Sequence, residues 1–260
     1  MNNLIDTHCH LDMVLDRLKL KTLEELWETM PFIPETMLQV ACHPDDFAQT
    51  LAWLDQDERI FGTFGVHPHD AKIYDDQVEA SMRQALEHPK AIAVGEAGLD
   101  YHYMHSPAEV QKEAFRRQLQ LALELKKPFV LHTREAEADT WEILQEFKSF
   151  PFPIHVHCYT ASLEFAKKLL SLDINLFFGF TGVITFKNAG DIRTVAEYLP
   201  LDRILTETDA PFLAPVPFRG KVATPAMVEQ VVKALAKIKG LSPEKMAEHC
   251  RRNARKCYGV

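Results

Sequence analysis

Short β-branched and aromatic runs alternate along the chain with longer stretches whose apolar residues recur at helical spacing. Eight runs read as strands: residues 4–10 (LIDTHCH), 36–42 (TMLQVAC), 60–68 (IFGTFGVHP), 91–96 (AIAVGE), 128–133 (PFVLHT), 153–158 (PIHVHC), 174–180 (INLFFGF) and 203–209 (RILTETD). Amphipathic segments at 111–127, 136–147 and 162–172 predict helices between them. The tail predicts two more, at 224–240 and 242–259, each opening on a Thr-Pro or Ser-Pro pair suited to a helix N-terminus; the first closes at Gly240. Strands alternating with helices imply parallel strands joined by crossovers. About eight such units imply an α/β fold of the (β/α)8 TIM type, a closed barrel with an additional C-terminal helix. A doubly wound open sheet is the structural alternative. No linker, repeat or low-complexity tract divides the chain, which is expected to form one barrel domain over residues 1–260.

Composition narrows the picture. A hydrophobic content of 47% is too high for disorder and supports a large core. Apolar runs are short and interrupted by charge, so no membrane span is expected. The start of the chain has neither a basic stretch nor an apolar signal, which points to the cytoplasm. The five cysteines (Cys9, Cys42, Cys158, Cys250, Cys257) are scattered, with no disulfide framework and no paired zinc spacing, in keeping with a reducing compartment. A net charge of −8 argues against a protein that coats duplex nucleic acid. No protein partner is evident.

Parallel barrel strands are buried on both faces and should be apolar. Here polar residues stand at the C-terminal ends of the strands: His8 and His10 on the first, His67 on the third, Glu96 on the fourth, His132 on the fifth, His157 on the sixth and Asp209 just past the eighth. In a barrel those ends converge on the rim where such enzymes keep their chemistry. Side chains alternate along a strand, so His8 and His10 share a face while Cys9 turns away. Their Cα atoms would lie roughly 6–7 Å apart, close enough for two imidazoles to chelate one cation. A single strand histidine is usually a satisfied core or surface residue. The coincidence of several histidines and carboxylates on one rim is what points to a hydrolytic metal site with positions open to water. His43, His69, His88, His105 and His249 fall in loops or helices and are given no role.

The segments IDTHCHLD, GVHPHDA, AVGEAGLDYHY, LHTREA, HCYTAS, FGFTGVITFKNA and ILTETDAPFLAP, followed by RGK, closely resemble the TatD family of metal-dependent deoxyribonucleases. The motifs run in family order over nearly the whole chain. The resemblance implies an amidohydrolase-like barrel holding divalent metal ions, two per chain, as Mg²⁺, Mn²⁺ or Zn²⁺. It implies that His8, His10 and Asp209 hold one ion, that His132 and His157 hold the second, and that Glu96 bridges them. It also implies 3′ to 5′ exonuclease action on single-stranded DNA or DNA ends, and in some members on RNA.

Three departures stand out. Ala223-Thr224-Pro225 replaces the family's Asn-Glu-Pro. Ala161 stands where the family has glycine. His155 forms a second His-x-His with His157 and is expected to lie deeper in the barrel, orienting a ligand or filling the core. For chemistry, Asp209 beside the attacking water is the expected proton acceptor, with Glu207 a second candidate. Arg134, Arg219 and Lys221 are candidates for holding phosphates, and His67 and Tyr159 for touching substrate. Tyr101, Tyr103, Phe180 and Phe212 add aromatic faces near the rim.

Two other classes compete. One is a hydrolase of the same barrel acting on a small amide, lactone or phosphoester. Such enzymes often bridge their metals with a carboxylated lysine on the fourth strand, where this chain has Glu96 and no lysine. The other is a binding protein with a decayed site, disfavoured because every expected ligand is present.

Overall fold

The structure, a computed structural model, describes residues 3–260. All eight expected strands are found: β1 (Ile5–Cys9), β2 (Thr36–Ala41), β3 (Ile60–Phe64), β4 (Ala91–Asp100), β5 (Phe129–Arg134), β6 (Ile154–Val156), β7 (Leu176–Phe180) and β8 (Ile204–Thr206). They pair in parallel and in chain order. Around them run α1 (Leu11–Leu18), α2 (Leu23–Thr29), α3 (Phe47–Gln56), α4 (Asp76–Ala85), α5 (Ala108–Leu125), α6 (Glu137–Glu146), α7 (Leu163–Leu170), α8 (Gly190–Tyr198), α9 (Val228–Lys239) and α10 (Pro243–Tyr258). The barrel is nearly closed. Between β8 and β1 there is no ladder, and the seam is held mainly by individual hydrogen bonds. Thr7 Oγ1 donates to the Thr206 carbonyl at 3.1 Å, and Thr208 N–H donates to Asp6 Oδ1 at 2.8 Å. Asp209 N–H donates to the His8 carbonyl at 2.9 Å, and His10 N–H to that of Ala210 at 2.8 Å.

The tail departs from expectation in one detail. Ser242 caps α10, its side chain accepting from Lys245 N–H, but Thr224 makes no such bond and Pro225–Met227 is a 3-10 turn ahead of α9. At the family's Asn position, Ala223 is fully buried, its N–H on the Pro211 carbonyl at 3.0 Å.

The core has two parts. The larger fills the layer between strands and helices. The smaller lies inside the barrel toward the strand starts, where Ile5, Leu38, Ala93, Val130, Phe177 and Leu205 meet Ala254, Cys257 and Tyr258 of α10. The C-terminal helix therefore plugs the lower end and leaves the upper end to polar residues.

Two bulges decide which polar residues face inward. Pairing passes from Asp6–Met37 to Cys9–Gln39 on β1, and from Val94–Phe129 to Ala97–Leu131 on β4, three residues against two each time. An extra residue resets the alternation. His8 thus joins the inner face three residues after Ile5, and Glu96 three after Ala93. At the second bulge Gly95 has φ +125°, and a Cβ there would overlap the Val130 carbonyl, so only glycine fits.

Candidate metal centre

Glu96 is the hub of the upper barrel. It is buried, and its two oxygens face different partners. Oε2 lies 3.2 Å from His8 Nε2 and 3.9 Å from His10 Nε2. Oε1 lies 2.6 Å from His132 Nδ1, 3.6 Å from His157 Nε2 and 3.7 Å from His67 Nε2. Asp209 approaches the first group, with Oδ1 3.5 Å from His10 Nε2 and 3.8 Å from His8 Nε2. Donor atoms of His8, His10 and Asp209 fall within 4.8 Å of one another, as do those of His8, Glu96 and His157, and of His67, Glu96 and His132. The rings of His8 and His157 stack at 3.5 Å.

Local backbone explains several of these positions. β6 and β8 are short because the chain turns away from its ladder. Cys158 and Asp209 take left-handed conformations, φ 44° and 57°. Such strain persists only where surrounding contacts hold it. At Asp209 those contacts are its N–H on His8 and the acceptance of Phe212 N–H by its carbonyl at 2.9 Å.

The electrostatics of the cluster are coupled. Burial works against charge on Glu96, yet His157 and His8 hold it well below the usual carboxylate range. Burial and the neighbouring His157 push His8 down to about 4. Burial also opposes charge on His157, but Glu207, Glu96 and Asp209 more than offset it and push that ring up to about 9. Both ring nitrogens of His8 are buried without an aligned hydrogen-bond partner, as is Nδ1 of His10. Buried imidazoles left in this way are costly. A set of imidazole nitrogens and carboxylate oxygens pointed at common centres fits divalent cations such as Zn²⁺ or Mn²⁺.

The structure brings together all six expected ligands, His8, His10, Glu96, His132, His157 and Asp209, and adds His67 to them. His67 lies three residues past β3, and its ring is 4.6 Å from that of His132. Glu207 is fully buried behind His157. Its Oε1 accepts from Cys158 N–H at 2.5 Å and lies 3.2 Å from His157 Nδ1, and its Oε2 lies 3.0 Å from His155 Nε2. Both oxygens are thereby turned away from the open end. Tyr159 is 2% exposed, its ring against Phe178 and its hydroxyl donating to the Ser162 carbonyl, so it offers no face to a substrate. Phe180 is likewise core. Arg134 lies 4.9 Å over the ring of Tyr103, which is 52% exposed. Arg219 packs 3.7 Å over Phe186 and donates to the Ala214 carbonyl, and Lys221 is exposed nearby.

Three residues went unassigned in the sequence. β4 runs four residues beyond its expected end, to Asp100. That carboxylate lies 3.4 Å from His132 Nε2 and 3.0 Å from His69 Nε2. It accepts N–H bonds from His102 and Tyr103, and these partners together hold it below the usual range against the effect of burial. The signal was available: Glu96, Gly98 and Asp100 alternate along one strand. His69 lay in a loop with no periodicity to mark it. Tyr258, whose hydroxyl is 2.6 Å from His155 Nδ1, is brought there only by the packing of α10.

A parallel eight-stranded barrel with histidines and carboxylates at the C-terminal ends of its strands defines a metal-dependent hydrolase of amidohydrolase-like fold. Residues 5–259 match the family described as TatD related DNase, and the chain belongs to that family. It is 38% identical over 247 residues to an uncharacterized metal-dependent hydrolase, YcfH, of Escherichia coli K12, covering 94% of this chain and 91% of the relative. It is 37% identical over 267 residues to the human 3′-5′ RNA nuclease TATDN2, covering 98% of this chain but only 35% of the length of the human protein. The crystal structure of YjjV, a TatD homologue from E. coli K12, superposes with a TM-score of 0.86 at 27% identity, over 99% of this chain and 98% of that one. Among the described residues no helix is long and apolar enough to cross a membrane.

Proposed function

We propose that this hydrolase cleaves phosphodiester bonds at the 3′ ends of single-stranded nucleic acid, DNA or RNA, through a centre holding two divalent ions. The observation that carries the proposal is the division of Glu96. One of its oxygens faces His8 and His10 and the other faces His132 and His157, so one carboxylate serves two adjoining donor sets. His8, His10 and Asp209 would hold one ion, and His132 and His157, with His67 close by, the other. When bound, the ions would supply Lewis acidity and neutralise charge on a phosphate.

The chain's own residues do the rest. Asp209, with its side chain 16% exposed, is the carboxylate at the open side of the cluster and accepts the proton of the attacking water. Glu207 orients His157 from behind. Asp100 faces His132 Nε2 at 3.4 Å, and Nδ1 is directed at Glu96. Arg134 binds phosphate oxygens. Tyr103 beside it, and Phe212 under Arg17 on the His10 side, provide stacking faces on either side of the cluster. Bases must be unpaired to use such faces, which favours single strands. The name of the human relative supports RNA and the family description supports DNA; the reading includes both. The lack of a lysine on β4 weighs against a small-amide hydrolase.

The test compares oligonucleotides blocked at the 3′ end with those blocked at the 5′ end, as single-stranded DNA, single-stranded RNA and duplex. The proposal expects a 3′ block to stop degradation and a 5′ block to leave it unchanged. Degradation that ignores a 3′ block contradicts it.

A further inference from the structure

The polar residues inside the barrel do not stop at the metal centre. Below His157 lies fully buried Glu207, below that fully buried His155, and below that Tyr258 on the helix that plugs the barrel. The contacts run from Tyr258 Oη to His155 Nδ1 at 2.6 Å, from His155 Nε2 to Glu207 Oε2 at 3.0 Å, and from Glu207 Oε1 to His157 Nδ1 at 3.2 Å. Space is kept for the chain: a Cβ on Gly179 would overlap both His155 Nε2 and Glu207 Oε2. Four polar side chains in the middle of a core are expensive unless each satisfies the next. Tyr258 and His155 share a hydrogen bond, while His155 Nε2 and His157 Nδ1 face the Glu207 carboxylate at ion-pair distance without aligned hydrogen bonds.

From this geometry we propose that Tyr258 is a positioning residue for the metal centre, acting through His155 and Glu207 to fix the ring of His157 with Nε2 toward Glu96. The inference rests on the metal-centre reading given above. The direction of each proton follows from what each group can accept. An ionised Glu207 is acceptor only, so the nitrogens facing it, His155 Nε2 and His157 Nδ1, both carry protons. His155 then has a lone pair only at Nδ1, and the Tyr258 hydroxyl donates to it. His157, with its Nδ1–H facing the Glu207 carboxylate, is left with Nε2 as its only nitrogen free to ligate. The C-terminal helix therefore acts on the centre at His157 itself, on the His132–His157 side. The His8 ring stacked on His157 and Asp209 Oδ1, 3.9 Å from its Nε2, meet this line only through that ring.

Tyr258→Phe removes the hydroxyl and keeps the ring. The experiment uses the whole chain, stripped of metal, and two readouts. The first is calorimetric titration with Zn²⁺, in which His132→Ala identifies the binding phase of the His132–His157 side. The inference expects Tyr258→Phe to weaken that phase by about tenfold or more, the usual effect of removing a group that orients a ligand, and to leave the other phase unchanged. The second is nitrogen NMR of the metal-free protein, in which the ring N–H protons of His155 and His157 should lose their protection from solvent exchange. Equal weakening of both phases, or no change in either, overturns the inference. If the wild type binds no Zn²⁺, the metal-centre reading fails by itself, and the ring protons decide: unaltered protection in Tyr258→Phe overturns the positioning role.

Discussion

Glu96 and His132 meet across neighbouring strands, Oε1 to Nδ1 at 2.6 Å, while the opposite carboxylate oxygen of Glu96 faces His8. This contact depends on the β4 bulge, since regular alternation from Ala93 would turn Glu96 outward, into the helical layer. The carboxylate whose two oxygens face the two donor sets is thus placed by a local irregularity of one strand.

Replacing Glu96 by Ala should abolish binding of both ions and lower turnover by at least about 10²-fold, the scale of a general acid–base contribution. Metal content by elemental analysis, read beside turnover and the circular dichroism spectrum, checks this. Asp209→Asn should lose turnover on the same scale. A variant that folds and keeps near wild-type turnover would remove its residue from the centre.

Gly95→Ala should destabilise the fold by about 1–3 kcal/mol, because the φ of +125° and the Val130 carbonyl leave no room for a Cβ. Urea denaturation measures it. The same variant should bind metal more weakly than its loss of stability accounts for, since the bulge aims Glu96.

Much of this was legible in the sequence. The eight strands were, because strands buried on both faces leave dense apolar runs. The polar residues gathered at the upper end, His8, His10, His67, Glu96, His132, His157 and Asp209, were, because charge at the end of such a run needs a reason. The inward turn of Glu96 was not, because a bulge changes phase without changing composition. Asp100, though it alternates with Glu96 and Gly98, fell outside the expected bounds of β4, which stopped at Glu96. Tyr159 was a substrate candidate as an aromatic near the rim, whereas its ring packs in the core against Phe178 just past the left-handed turn at Cys158. The contact of Tyr258 with His155 spans 103 residues and exists only once α10 has closed the barrel.

Metal binding should release protons. In the metal-free protein His157 is pushed up to about 9 by the surrounding carboxylates against the effect of burial. At pH 7 the ring is protonated at both nitrogens and must lose one proton to ligate. Binding on that side should release about one proton per chain from His157 and a further share from His132, which Asp100 and Glu96 also push up against the effect of burial. Apparent affinity should rise roughly tenfold or more per pH unit, levelling off above about 9. The same raised value stabilises the metal-free fold, fully below about 6.5 and not above about 9. Calorimetry in buffers of different ionisation enthalpy counts the protons; none released at pH 7 would contradict the assignment of His157.

Arg134→Ala should weaken binding of single strands of every sequence, because phosphate contacts carry no sequence information. Arg219→Ala should do less, since that guanidinium is already engaged by Phe186 and the Ala214 carbonyl. With few phosphates held near the centre, log affinity against log salt should have a slope of about −1 to −3, at roughly −0.7 per phosphate. Fluorescence anisotropy over a salt series measures both.

The most direct measurement follows 5′-labelled single-stranded DNA and RNA with protein stripped by a chelator, and then after Mg²⁺, Mn²⁺ or Zn²⁺ is restored. The account predicts intact oligonucleotide without metal and a ladder shortened from the 3′ end once metal returns. Shortening that persists in fully stripped protein, or intact oligonucleotides alongside fast turnover of a small amide or lactone, would contradict it.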